Sequence, residues 1–320
     1  MATSLYSLLA VVLLQAAPPA AAAPPDSLAA VRGRIERDST DAPAWLLLGR
    51  GYLRLADDAH GRPHRASQDS VWARALLDTA DQALTRAALL LGAAGSSPVG
   101  DSARVLRVGA WSRRSRLAWE TGGVAAGPQQ WGPVPVDLRV PPVLEELGEN
   151  LLRACPMWGV LLTTDDADAY AAWYMRFARG LRPDLLVMPL AAWRSDAALR
   201  TRLASDLRLG PRGETDAWLP ELAKRRPVCA SMAFDRPPET RPRVAWATRP
   251  FVWVAGPPVR DDRVPPRDFV FAGLRIALDQ RDPWAAPALA LYVRAARAMA
   301  ALCEAMKTFR VAAEVASCRR

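Results

Sequence analysis

The chain has 320 residues, about half of them apolar, and a formal net charge of +9. That supplies ample core material, excludes a disordered chain, and suits two or three units of ordinary size. Of the 42 basic residues all but two are arginine, spread along the chain beside Asp and Glu with no run of five or more. This is the pattern of a solvated, mixed-sign surface, so no nucleic-acid partner is expected.

The chain opens on an apolar run, Leu5 to Ala17, followed by Pro18-Pro19 and the alanines Ala20 to Ala23. A bilayer span needs about 20 apolar residues. This shorter run leading into small residues reads as a secretory signal peptide over residues 1–23, with an uncleaved anchor as the alternative. No later stretch has the length or apolarity to span a membrane, so a periplasmic or secreted location is expected. Cys155, Cys229, Cys303 and Cys318 form an even set without CxxC spacing. Structural disulfides are the expected use, and three pairings are open.

Residues 26–123 read as helix. Ser27 to Arg37 forms a first short helix, and Asp41-Ala42-Pro43 starts the next. Trp45, Leu48, Gly49 and Tyr52 then match W-x2-L-G-x2-Y, the first-helix signature of a tetratricopeptide repeat. Trp45, Leu48 and Tyr52 share one face, and Gly49 permits close approach of a partner helix. A polar loop, Asp57 to Gln68, precedes a helix from Ser70 to Leu91, in which Ala80, Leu84 and Ala87 have the spacing of a repeat's second helix. A third helix is expected over Asp101 to Glu120, stopped by Gly122-Gly123. The region resembles one good tetratricopeptide repeat with degenerate neighbours. A solenoid normally needs about three repeats, so this one should pack on the C-terminal remainder of the chain.

Residues 124–142 are rich in Gly and Pro and read as a linker lying across the next unit. The expected α/β domain covers 143–258, starting with a short helix, Val143 to Ala154. Gly159 to Thr164 reads as a buried strand, Asp165-Asp166-Ala167-Asp168 as a turn with Asp168 as helix cap, and Leu185 to Leu190 as the returning strand. In the intervening helix Tyr170, Trp173, Tyr174 and Phe177 recur at i, i+3, i+4 and i+7, one aromatic face. A helix from Ser195 to Gly210, another over Glu214 to Arg225, a strand over Pro227 to Phe234 and strand-like residues on both sides of Pro250 complete the alternation. Strands separated by helices predict a small three-layer domain with a mainly parallel sheet. C-terminal helices are expected over 268–318. The fold class is therefore α/β plus all-α.

Turns at the carboxyl ends of parallel strands are where such sheets bind ligands. Here carboxylates stand where a phosphate loop would need glycines, and neither GxGxxG nor GxxxxGK occurs. Asp165, Asp166 and Asp168, with Tyr170, Trp173 and Tyr174, would suit a sugar, an amine or a hard cation. The competing reading makes Asp165, Asp166 and Asp168 servants of the helix start and the aromatic face a core. No catalytic residue, metal site or cofactor is expected. His60 and His64 flank Pro63 without a third ligand nearby. Glu145, Glu146 and Glu149 read as an exposed acidic helix face.

The run TTDDADAYAAWYMRFARGLRPDLLVMPL resembles the soluble segment of bacterial membrane proteins related to protein O-mannosyltransferases, which carry a T-N-G-D-N-D-T-[FY]-P-L-W-Y-type run. Asp166, Asp168, Tyr170, Trp173 and Tyr174 match that run, and Arg182-Pro183-Asp184 and Arg226-Pro227-Val228 echo later ones. Thr164, Asp165, Ala167, Ala169 and Ala171 depart from it, and the membrane transferase part is missing. The resemblance covers Gly148 to Pro258 and implies a shared soluble fold more than a shared activity. Two functions are expected on these grounds. One is an exported, non-enzymatic binding or scaffold protein with a protein or glycan partner in the envelope. The other is an accessory subunit or enzyme of envelope glycosylation that holds a sugar or cation at Asp165 to Asp168.

Overall fold

In a computed structural model of the chain the described residues are 27–60, 67–92, 97–122, 140–164, 167–195, 200–201, 204–205, 207–209, 217–258, 264–282, 284–309 and 311. The expected signal peptide, most of the linker, His64, Asp165, Asp166 and Cys318 lie outside them.

The N-terminal part is four helices: α1 (Leu28–Arg37), α2 (Ala42–His60), α3 (Ser67–Leu90) and α4 (Pro98–Gly122). Ser27 caps α1 by accepting from the Ala30 N–H at 3.2 Å. Asp41 does the same for α2, accepting from Ala44 N–H at 2.9 Å, while Arg34 grips its other oxygen at 2.8 Å. Helices α2 and α3 pack tightly because Gly49 has no side chain: a Cβ there would lie 2.5 Å from Leu84 Cγ. Leu48, Tyr52, Ala80, Leu84 and Ala87 are buried in this core. Trp45 is only half-buried, its indole N–H donating to the Ser39 carbonyl at 3.0 Å. The expected loop from Asp57 is shorter than its polarity suggests, since α2 runs on to His60, which is itself buried.

Helix α4 faces two ways. Ala103, Ala110 and Leu117 join the helical core, whereas Val108 and Trp111 join the core of the α/β part. That part contains α5 (Pro142–Ala154), β1 (Val160–Thr163), α6 (Ala167–Trp173), β2 (Leu186–Pro189), α7 (Leu190–Ser195), α8 (Trp218–Ala223), β3 (Val228–Ser231), β4 (Ala247–Arg249) and β5 (Val252–Ala255). The expected long aromatic helix is broken: α6 passes at Tyr174 into a π-helical turn, Tyr174–Ala178, closed by Arg179 N–H to Tyr174 O.

The five-stranded sheet has the order β2-β1-β3-β5-β4. β1 pairs parallel with β2 and β3, and β5 pairs antiparallel with β3 and β4. The sheet is thus mixed, not mainly parallel. The reason is local: Pro250 and Phe251 form a two-residue turn, which can join only antiparallel neighbours. β1, β2 and β3 are buried throughout, as strands covered on both faces must be.

The C-terminal helices α9 (Ala272–Gln280), α10 (Ala285–Ala298) and α11 (Ala300–Thr308) close against α5 and the β4–β5 turn. Phe251, Phe269, Phe271 and Tyr292 make an edge-to-face aromatic cluster at that junction. Cys155, at the end of α5, is disulfide-bonded to Cys229 in the middle of β3. Cys303 is disulfide-bonded as well, its partner lying outside the described residues.

Candidate functional site

The path of the chain marks one place on the sheet. From β1 the chain crosses to β2 on one side, and from β2 it returns past β1 to β3 on the other. The loops leaving β1 and β3 therefore diverge, and ligands of open α/β sheets bind at such a point. Asp165 and Asp166, between β1 and α6 in the sequence, lie outside the described residues.

Asp168 is not the cap expected of it. It is the second residue of α6, and because helical Cβ atoms tilt toward the N-terminus its carboxylate folds back toward the strands. It accepts from the Thr164 N–H and the Ala169 N–H, both at 3.0 Å, and from the hydroxyls of Thr164 and Ser231. One buried carboxylate thus ties the end of β1, the start of α6 and the end of β3. Burial pushes its pKa above the usual carboxylate range, and these hydrogen bonds pull the other way. Sequence reasoning misses Ser231, which lies far along the chain where nothing local marks it. Its oxygen also accepts the Ala233 N–H at 3.1 Å. Beside it in the parallel register Thr163 is fully buried, and its hydroxyl has no hydrogen-bond partner.

The aromatic face is core. Trp173 and Tyr174 are buried, and Tyr170 is half-buried against Gly109 of α4, edge-on to Trp284 at 5.9 Å. A Cβ on Gly109 would lie 3.4 Å from the Tyr170 ring, an ordinary contact distance, and 3.1 Å from the Arg113 guanidinium. Arg113 of α4 hydrogen-bonds Tyr170 and grips Asp57 of α2 at 2.7 and 2.9 Å. Burial alone would lower the Arg113 pKa, but Asp57 and Tyr170 more than offset it and raise it. Tyr170 therefore links the helical and α/β parts.

The Arg182-Pro183-Asp184 run also has a structural use. Arg182 donates to both Asp184 oxygens at 2.9 Å and to the carbonyls of Leu152 and Cys155 at 2.9 and 3.1 Å. A guanidinium at the carbonyl end of α5 is favourably placed against the helix dipole. Burial would raise the Asp184 pKa, but Arg182 and the Trp158 N–H outweigh it and hold it below the usual range.

Glu146 overturns the exposed acidic face. It is buried between α5 and the C-terminal helices, accepting the Gly273 and Leu274 N–H groups at the start of α9 at 2.6 and 3.1 Å. Tyr292 hydrogen-bonds it, and Asn150 donates to the Tyr292 hydroxyl at 3.0 Å and to Val270 O at 2.9 Å. Burial pushes the Glu146 pKa up to about 7 against those three donors. The Glu-x-x-x-Asn spacing on an otherwise apolar stripe of α5 was the available signal.

Among the described residues no group of three His, Cys, Asp or Glu is arranged to hold a metal ion, and no helix is long and apolar enough to cross a membrane. The sequence matches no protein-family model, and no curated protein or solved structure matches it.

Proposed function

We propose that the chain is an exported, non-enzymatic binding or scaffold protein of the cell envelope, acting through surfaces of its helical and α/β parts. The observation that carries this reading is the use made of the strand-end residues. Asp168 is spent on internal donors, and Tyr170, Trp173 and Tyr174 are spent on packing. Four of the six residues offered for a ligand thus hold the fold together. The bonded cysteines support an oxidising compartment, because such bonds persist outside the cytosol. Surface for a partner exists: Val71, Trp72 and Leu89 of α3 are large, apolar and exposed.

Site-specific photo-crosslinking from positions 72 and 89 in the native host tests the reading. A discrete protein adduct is expected from either position and none from exposed Arg297. Equal yields from all three would overturn it.

The second reading, a sugar or cation held in envelope glycosylation, keeps one supporting observation. The β1 and β3 loops diverge beside the unpartnered Thr163 hydroxyl, which Asp165 and Asp166 closely follow in the sequence. Thermal melts of the full chain with Ca²⁺ or simple hexoses separate the two readings. No shift is expected. A shift lost in Asp165→Asn/Asp166→Asn would replace the first reading with the second.

A further inference from the structure

β4 is an edge strand, and among the described residues no strand pairs with its outer side. Its residues Ala247 and Thr248 are exposed and Arg249 is half-buried. The direction of its backbone groups is set by register. Thr248 stands opposite Trp253, and Trp253 stands opposite Ala230 of β3. The Met232 N–H donates to Phe251 O at 2.8 Å, continuing the hydrogen-bonded pairs of β3 and β5 through Ala230 and Trp253. The N–H and C=O of Trp253 are thereby turned toward β3, so those of Thr248 turn away from β5 into solvent. Neither group has a backbone partner among the described residues.

The turn residue Phe251 is fully buried among Phe269, Phe271 and Tyr292, which anchors the β4–β5 hairpin at its turn. Natural sheets hide or disrupt such edges unless something pairs with them.

Two arginines precede β4 in the chain. Arg241 and Arg243, on the segment leading into β4, are exposed and have no carboxylate partner among the described residues. The nearby carboxylates are already paired, Glu239 with Arg236 at 3.0 Å and Asp235 with Arg294 at 2.7 Å. Half-exposed Trp246 and Trp253 add apolar contact area along the same strip.

We propose that the β4 edge is a docking site for an extended, acidic segment of a partner protein, which adds to the sheet as a sixth strand. Main-chain hydrogen bonds at Thr248 supply affinity, and Arg241 and Arg243 select acidic side chains. Pairing with the same edge of a second copy is disfavoured, because it would bring the arginines of two basic chains together. This rests on the binding-protein reading and gives it a surface and a partner class.

The test uses the full chain and an eight-residue probe peptide of alternating Glu and Val. Its controls are the Lys/Val counterpart and the Glu/Val peptide with N-methylated backbone amides. Binding of the acidic peptide, weakened by salt, is expected, with neither control binding. Thr248→Pro removes only an outward N–H, a substitution edge strands tolerate. It should leave the melting temperature unchanged and weaken the peptide about fivefold to tenfold, the worth of one hydrogen bond. Arg241→Glu/Arg243→Glu should abolish acidic-peptide binding. Wild-type affinity in Thr248→Pro would overturn the proposal. So would binding of a single-stranded oligonucleotide in place of the peptide, or no peptide binding with self-association of the Arg241→Glu/Arg243→Glu variant, which would make the arginines a guard against edge pairing. If peptide binding fails while adducts from position 72 or 89 persist, the edge assignment falls and the binding-protein reading stands. If both fail, both fall.

Discussion

Glu146 and Asp168 put carboxylates where no cation reaches them and let hydrogen-bond donors compensate. For Glu146 the compensation is incomplete: its pKa is raised by burial from 4.5 to about 7. The charged group that bears on it is Glu149, of like sign, while the neutral Tyr292 phenol hydrogen-bonds it. The folded protein therefore keeps a proton that the unfolded chain releases between those values. Its contribution to stability is full below pH 4.5 and is lost as pH rises through about 7. The loss is on the order of 3 kcal/mol. Urea denaturation across this window should show that slope in the wild type and a flatter one in Glu146→Gln. An unchanged slope in the variant would mean that other groups carry the dependence. At this scale the sequence was least legible. Acidic residues beside a strand end look alike whether they face solvent or close a tertiary bond, and only Ser231, remote in sequence, decides which role Asp168 plays.

Among the glycines at close helix approaches, Gly148 and Gly49 have different neighbours. A Cβ on Gly148 would lie 2.3 Å from the Ala171 carbonyl oxygen and 2.6 Å from its carbon, and backbone cannot step aside. Gly148→Ala must push α5 and α6 apart and should cost about 1–3 kcal/mol. At Gly49 the nearest obstacle is the fully buried Leu84 side chain rather than backbone, and alanine's helix propensity, about 1 kcal/mol better than glycine's, offsets part of the repacking. Gly49→Ala should therefore destabilise, but less than Gly148→Ala. Melting temperatures of the two variants check the ordering, and equal losses would refute it. Element existence was largely readable, because period 3.6, the caps at Ser27 and Asp41 and the buried runs of β1, β2 and β3 are local signals. Pairing was not. The β4–β5 hairpin shows only as strand-like residues around Pro250, and the π turn at Tyr174 leaves no mark in an aromatic pattern that fits an α-helix equally well.

The two hydrophobic cores share α4, so the helical part should not melt alone. Val108 and Trp111 sit in the α/β core while Ala103 and Ala110 sit in the helical one. Reduction of the Cys155–Cys229 bond, whose cysteines are separated by 74 residues, releases the entropy of a long closed loop. It should lower stability by about 2–4 kcal/mol. Denaturant midpoints of the wild type and of Cys155→Ser/Cys229→Ser, both without reductant, measure it, and identical midpoints would show that the bond is dispensable. The segment between those cysteines contains β1, α6, β2, α7 and α8, ending within β3. Topologically it is a closed ring from which the remainder of the chain emerges as two tails. A protease that cuts once anywhere in the ring opens it without releasing a fragment. The product should run as one band on a non-reducing gel and as two after reduction, whereas a cut before Cys155 or between Cys229 and the bonded Cys303 separates the pieces under both conditions.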